Sequence, residues 1–169
     1  DGNFLNHGAW TQWDEKGRLV ARGEYRQGER HGKWFRRYDA KQGSLFSEPA
    51  NRGFELLYGT EAEFVDGKIH GTWVVFDARK RKICAWEFDA GQRQGRSVWY
   101  SPNGQIRQEV LFKNGQMDGD LRQLNADGKL VAVQTYIEGR RLATETKYHA
   151  PGKKKSEGPI LYAATYTDV

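Results

Sequence analysis

Apolar residues recur along this chain at alternate positions, in runs only a few residues long, and each run stops at a polar turn. Leu19, Ala21, Gly23 and Tyr25 fall on alternate positions, as do Ile106, Val110 and Phe112 in part, and Leu130, Ala132 and Tyr136. A period of two puts one face of a strand against a packed layer and leaves the other to water. Ahead of these runs lie aromatic segments carrying Trp10 and Trp13, Trp34 and Tyr38, Trp73 and Phe76, and Trp99 and Tyr100. Between paired runs stand DEKG (14–17), SPNG (101–104), NADG (125–128) and HAPG (149–152). Asp, Asn, Pro and Gly make such turns through local side-chain hydrogen bonds, a pre-set φ or access to positive φ. No stretch keeps a helical period over about ten residues. The pattern predicts β-hairpins throughout.

The hairpins repeat. Gly8, Gly32, Gly71, Gly95 and Gly119 open corresponding segments, in steps of 24, 39, 24 and 24 residues. The long step is a 24-residue unit with 15 extra residues. The expected units are therefore 8–31, 32–70 (insertion at about 40–59), 71–94, 95–118, 119–142 and a degenerate end unit, 143–169. Gly28, Gly67, Gly91, Gly115 and Gly139 stand four residues before the next opening position. Tyr25, Phe64, Phe88, Phe112 and Tyr136 precede those glycines by three, and Trp10, Trp34 and Trp73 follow an opening glycine by two.

One hairpin cannot bury its apolar face, whereas stacked copies bury it together. The fold class expected is all-β: stacked antiparallel hairpins in one elongated, twisted, single-layer sheet, a single repeat domain over 1–169. The five repeat aromatics should form one continuous buried row, with glycines letting the backbone bend or a ring lie across it. The insertion reads as an extended loop or lengthened hairpin, either tolerated at a tip or projecting from a binding face. It should leave the stack in register, because the pattern resumes unchanged at Phe64. The tail should add a last hairpin, Thr144–Tyr148 going out and Ile160–Tyr166 coming back.

The phrases YRQGERHGKW (25–34), FVDGKIHGTW (64–73) and FKNGQMDG (112–119) resemble the bacterial variant of the MORN repeat over roughly residues 8–142. The resemblance implies a single-layer twisted sheet of stacked hairpins. Similar bacterial proteins are often labelled toxin–antitoxin components. Eukaryotic relatives are mostly regions that bind proteins or anchor at membranes, without chemistry of their own.

Charge changes the picture little. A net charge of +5 with a pI near 9.3 suits an acidic partner or an anionic surface, and is ordinary besides. No apolar run approaches the roughly 18 residues that span a bilayer as a helix. The chain opens on Asp1-Gly2 without methionine, as a processed or trimmed product would. A secreted or periplasmic location is thus open if a signal peptide was removed, and a cytoplasmic one equally. Cys84 alone forms no internal disulfide and leaves the compartment undetermined.

Candidate chemistry is sparse. His7, His31 and His70 occupy one repeat position, but equivalent residues two strands apart lie roughly 10 Å from each other, too far for one zinc to hold at about 2.1 Å. Repeats with Gln94, Asp118 or Leu142 there keep the surrounding pattern, so the histidines are expected to be part of the scaffold, with no metal and no cofactor. Cys84 alternates with Trp86 and Phe88, as a packed strand residue would. Glu24, Glu63 and Glu87 precede the repeat aromatics and so face away from them, and Glu109 lies nearby in the next unit.

The basic clusters are Arg36-Arg37, Arg79-Lys80-Arg81-Lys82, Arg140-Arg141 and Lys153–Lys155. The first two form a candidate basic patch at hairpin tips, suited to anionic lipid or nucleic acid. DEKG and NADG interrupt it with acid. The leading expectation is a non-catalytic scaffold that binds a protein partner through an aromatic-lined face or the inserted loop, with no small-molecule substrate. Behind it come a structural cell-envelope module and a binder of anionic surfaces; an enzyme ranks last.

Overall fold

The computed structural model describes residues 5–39, 51–55, 57–149 and 153–159. They form one open antiparallel sheet of 13 strands: β1 (Gly8–Trp13), β2 (Leu19–Arg26), β3 (Glu29–Arg37), β4 (Gly59–Val65), β5 (Lys68–Phe76), β6 (Lys82–Asp89), β7 (Gln92–Tyr100), β8 (Ile106–Lys113), β9 (Gln116–Met117), β10 (Gly119–Leu124), β11 (Leu130–Ile137), β12 (Arg140–His149) and β13 (Lys153–Pro159). Strands adjacent in sequence are adjacent in the sheet, except that β9 pairs only with β8, off the main path. No α-helix occurs among the described residues. The expected all-β stack of hairpins is the architecture found.

Two turn types alternate along the sheet. At one margin the chain reverses through Asp14-Glu15-Lys16-Gly17, where Asp14 N–H donates to the Arg18 carbonyl and Asp14 Oδ1 accepts from the Lys16 and Arg18 amides, each at 2.9 Å. Ser101–Gly104 and Asn125–Gly128 repeat the backbone bonds, and Asn125 Oδ1 also accepts the Asp127 and Lys129 amides. A fourth copy, Asp77-Ala78-Arg79-Lys80, escapes the sequence pattern because Lys80 (φ +63°) stands where the others carry glycine.

At the other margin Gln27-Gly28, Asp66-Gly67, Ala90-Gly91, Asn114-Gly115 and Glu138-Gly139 each have both φ values positive. That pair is the type I′ hairpin turn, whose twist matches that of the flanking strands. These turns are also stitched to the preceding unit. Gly67 N–H donates to the Arg30 carbonyl (2.9 Å), Gly91 to Ile69 (2.8 Å), Gly115 to Arg93 (2.9 Å) and Gly139 to Met117 (2.8 Å).

The opening glycines Gly32, Gly71 and Gly95 lie within strands, three residues after a strand begins. Each sits at a two-residue slip between units: Arg22 pairs with Phe35 but Glu24 with His31, Glu61 with Val74 but Glu63 with His70, and Trp86 with Ser97 but Phe88 with Arg93. The extra residues bulge out on the later strand and sharpen its bend.

β3 and β4 pair without a break from Gly32↔Phe64 to Arg37↔Gly59, so the stack stays in register across the insertion. Residues 40–50 and 56 of that segment lie outside the described residues. Its end is packed rather than projecting: Phe54 and Tyr58 are buried in one cluster with Val75, Ile83 and Cys84, flanked by Trp73, Trp86 and Trp99. The last hairpin returns earlier than expected, through β13, with His149 paired to Lys153; Ile160–Tyr166 lie outside the described residues. Lys153–Lys155 are therefore strand residues and no part of a tip.

Candidate functional site: an arginine-capped aromatic face

Directly paired residues share a face of a sheet, so the register assigns the side chains. Ala21, Arg36, Thr60, Val75, Cys84 and Trp99 form one row across the strands. On the same face a second row holds Trp10 beside Gly23, Trp34 beside Ala62, Trp73 beside Trp86, and Ser97 beside Val110. Large and small side chains are matched along it. A Cβ on Gly23 would fall within 2.7 Å of three Trp34 ring carbons. Where the strand residue is instead the large Trp86, its partner in the next unit is the fully buried Ser97. Serine stands where other units carry Trp10, Trp34 and Trp73, because the tryptophan has crossed to the neighbouring strand.

The rings touch. Trp10 stacks on Trp34 at 5.6 Å, Tyr25 meets Trp34 edge-on at 4.9 Å, and Trp34 meets Phe64 at 6.2 Å. Trp86 lies 4.7 Å from Trp73 and 5.6 Å from Trp99. The repeat aromatics lie on this face, one per unit: Phe64 and Phe112 are buried, whereas Tyr25, Phe88 and Tyr136 are half-buried. A groove of about 350 Å³ opens here, lined by Trp10, Tyr25, Arg30, Trp34, Arg36 and Trp73 among others.

Arginines cap the rings. The Arg30 guanidinium lies 5.0 Å from the Trp34 ring and 5.4 Å from Phe64. Arg93 lies 3.6 Å from Trp86 and 4.8 Å from Phe112, and burial among them lowers its pKa. Such contacts contribute about 0.5–2 kcal/mol each, more as water is excluded. Runs of adjacent basic residues do not mark these two arginines; each stands alone in sequence between uncharged or acidic neighbours and is found only through its register partner.

The clustered basic residues are placed differently. Arg79 pairs with Glu55, and Arg81 donates to Asp77 Oδ2 at 2.6 Å and to the Gly53 carbonyl at 2.9 Å. Lys80 lies 3.8 Å from the Phe76 ring and 3.9 Å from a Glu61 oxygen. Arg36 lies over Tyr38 at 5.1 Å, while Arg37 and Lys82 are exposed. Asp77 is 1 % exposed, and its Oδ1 also accepts the Arg79 and Arg81 amides. Burial acts to raise its pKa, but the hydrogen bonds from Arg81, the Glu55 amide and the Arg81 charge outweigh it and hold the carboxyl below its ordinary value. Burial, with the Asp77 charge, raises the Tyr58 phenol in turn.

The glutamates lie on the opposite face, at the bulges. Glu87 Oε2 accepts the Arg96 amide at 2.7 Å, and Glu109 bridges Arg96 and Arg122. His70 Nδ1 lies 3.2 Å from Asp89, His7 Nδ1 accepts the Gln27 amide at 3.4 Å, and His31 Nδ1 is buried without a partner. Among the described residues no group of three His, Cys, Asp or Glu could hold a metal ion. The Cys84 thiol is pushed up to about 12 by burial.

Residues 93–114 match the family model of the MORN repeat variant. Repeats of this kind are generally non-catalytic modules that bind proteins or membranes. No curated protein matches the chain.

Proposed function

We propose that this chain is a non-catalytic repeat scaffold that holds a protein partner on its arginine-capped aromatic face. The carrying observation is the half-buried Trp10 and Tyr25 beside the exposed Arg30 at the mouth of a groove on an open, single-layer sheet. Aromatic and arginine side chains are the types that dominate binding energy at protein interfaces. The match to a generally non-catalytic repeat supports the same conclusion. A bacterial origin belongs to the proposal as the resemblance implies it, and the function does not depend on it. Basic hairpin tips favour an anionic surface less, since Glu55 and Asp77 engage Arg79 and Arg81.

Affinity capture tests this when variants of the two faces are compared. Trp10→Ala and Arg30→Ala should lose a partner that wild type retains, while Arg22→Ala and Lys33→Ala on the opposite face keep it. Equal capture by both sets, or an activity traced to the purified chain, would overturn the proposal.

A further inference from the structure

The two faces of the sheet carry charge differently. On the face opposite the aromatics, acids and bases interleave: Glu24, Glu63, Glu87, Glu109 and Asp120 share it with Arg22, Lys33, Arg96 and Arg122. On the aromatic face the described strand cations include Arg30, Arg36, Arg93, Arg141, Lys147 and Lys153, against the single strand acid Glu145, which Lys147 engages at 3.3 Å. Among the described residues no carboxylate lies within ion-pair distance of Arg30, Arg36, Arg93 or Arg141.

Three of these arginines hold one repeat position, two residues before the opening glycine or its equivalent, Ala143. Successive units carry Arg30, Ile69, Arg93, Met117 and Arg141 there. The arginines thus recur in every second unit, four strands apart along the order β3 to β7 and β7 to β12. At about 4.8 Å per strand the separation is roughly 19 Å, the reach of about six residues of extended chain.

We propose that the aromatic face binds an acidic, extended protein segment lying across the strands, its carboxylates about six residues apart and seated on Arg30, Arg93 and Arg141. The proposal rests on the scaffold reading above and names the chemistry of its partner. A carboxylate fits because a guanidinium, stacked on a ring or not, can donate N–H groups to both of its oxygens in a fork. Arg30 and Arg93 cover the Trp34, Phe64, Trp86 and Phe112 rings, leaving fewer ring faces for nucleobases to stack on, which disfavours single-stranded nucleic acid. The inserted segment leaves this row clear where it is described, since Phe54 and Tyr58 pack over Val75 and Cys84, on the far side of the tryptophan row from the arginines.

The test titrates the full chain with a fluorescein-labelled peptide of Ser and Gly carrying glutamates about six residues apart, and reads anisotropy. A glutamine version, oligothymidylate and phosphatidylserine vesicles serve as the other probes. Saturable binding of the glutamate peptide should weaken with salt, and Arg30→Glu or Arg141→Glu should each reduce it roughly tenfold, the loss of one charged hydrogen-bonding contact. Lys33→Glu and Lys113→Glu, on the other face, should change it less than twofold. Arg93→Glu is informative only if its circular dichroism is that of wild type; Arg30 and Arg141 are exposed, so their variants carry the test regardless. No binding of the glutamate peptide, equal binding of the glutamine version, equal loss from both faces, or tighter binding of oligothymidylate or vesicles would overturn the proposal. If the peptide fails while partner capture still depends on Trp10, the partner class is wrong and the scaffold stands.

Discussion

Replacing Gly23 by alanine tests whether the aromatic face is a packed joint or a loose surface. The new Cβ would lie within 2.7 Å of three Trp34 ring carbons, where carbon atoms normally keep about 3.5–4.0 Å. The indole must withdraw by about 1 Å, and little lets it. Trp34 is 8 % exposed, with Trp10 at 5.6 Å and Tyr25 at 4.9 Å. Its Nε1–H donates to the carbonyls of Glu24 (3.1 Å) and His31 (3.2 Å). Overpacking of this kind costs about 1–3 kcal/mol, and losing the indole hydrogen bond about 1 kcal/mol more. Removing a glycine from a strand returns about 0.5–1 kcal/mol. The net expectation is a loss of about 2 kcal/mol in urea unfolding followed by circular dichroism and tryptophan fluorescence. Gly158→Ala is the control, because nothing lies within 4 Å of its Cβ and its φ is ordinary; it should be neutral or slightly stabilising. In a Trp34→Leu background the Gly23→Ala penalty should largely vanish. A Gly23→Ala protein within about 0.5 kcal/mol of wild type would refute the packing described, since that is the scatter of neutral surface changes.

The same matching predicts that Ser97→Trp alone unfolds or costs more than about 3 kcal/mol, whereas Trp86→Gly with Ser97→Trp restores much of the loss, as thermal melts would show. Asp77→Asn should cost about 3–5 kcal/mol by leaving Arg81 without its charge partner. Because the folded carboxyl titrates below its ordinary value of 3.8, its contribution is complete above that value and disappears as pH falls through the folded pKa. Wild type should therefore lose its advantage over Asp77→Asn in acid melts below about pH 4 and keep it undiminished at neutral pH; a constant gap would contradict this linkage. Cys84, its thiol raised to about 12 by burial, should stay unmodified by a thiol reagent at pH 8 until denaturant is added; rapid native-state labelling would place it at the surface.

Much of the architecture is legible in the sequence because a 24-residue step with fixed glycine and aromatic positions leaves few ways to stack the units. What is illegible depends on register. Ser97 and Trp86 look like a departure from the repeat until the strands are paired, when they become the same large and small pair with its members exchanged. The Asp77 turn is hidden by Lys80, a side chain in a positive-φ position held by contacts with Phe76 and Glu61 that no local motif encodes. KKKSEGP carries no apolar alternation, so β13 has no signal beyond its pairing with β12. Phe54 and Tyr58 sit in a stretch whose Gly, Pro and Asn content suggests an open loop, and long-range burial overrides that composition. Arg30 and Arg93 go unnoticed for the opposite reason: clusters of adjacent charge draw the eye, and even Arg141 shows only as half of Arg140-Arg141, while side chains that share a face are spread along the chain.

The stitches from Gly67, Gly91, Gly115 and Gly139 to the preceding unit use only main-chain atoms, so the backbone treats every unit as interchangeable with any other. The side-chain pairs do not. Removing residues 71–94 would keep the stitches but set Ala62 against Ser97, two small groups enclosing a void. Removing 95–118 would drive Leu121 into the space beside Trp86 that only a serine-sized partner leaves. Each unit therefore carries an address, readable by the neighbour it was built for, and the centre of the array cannot gain, lose or reorder a repeat by simple exchange unless the side chains at the new joint change with it.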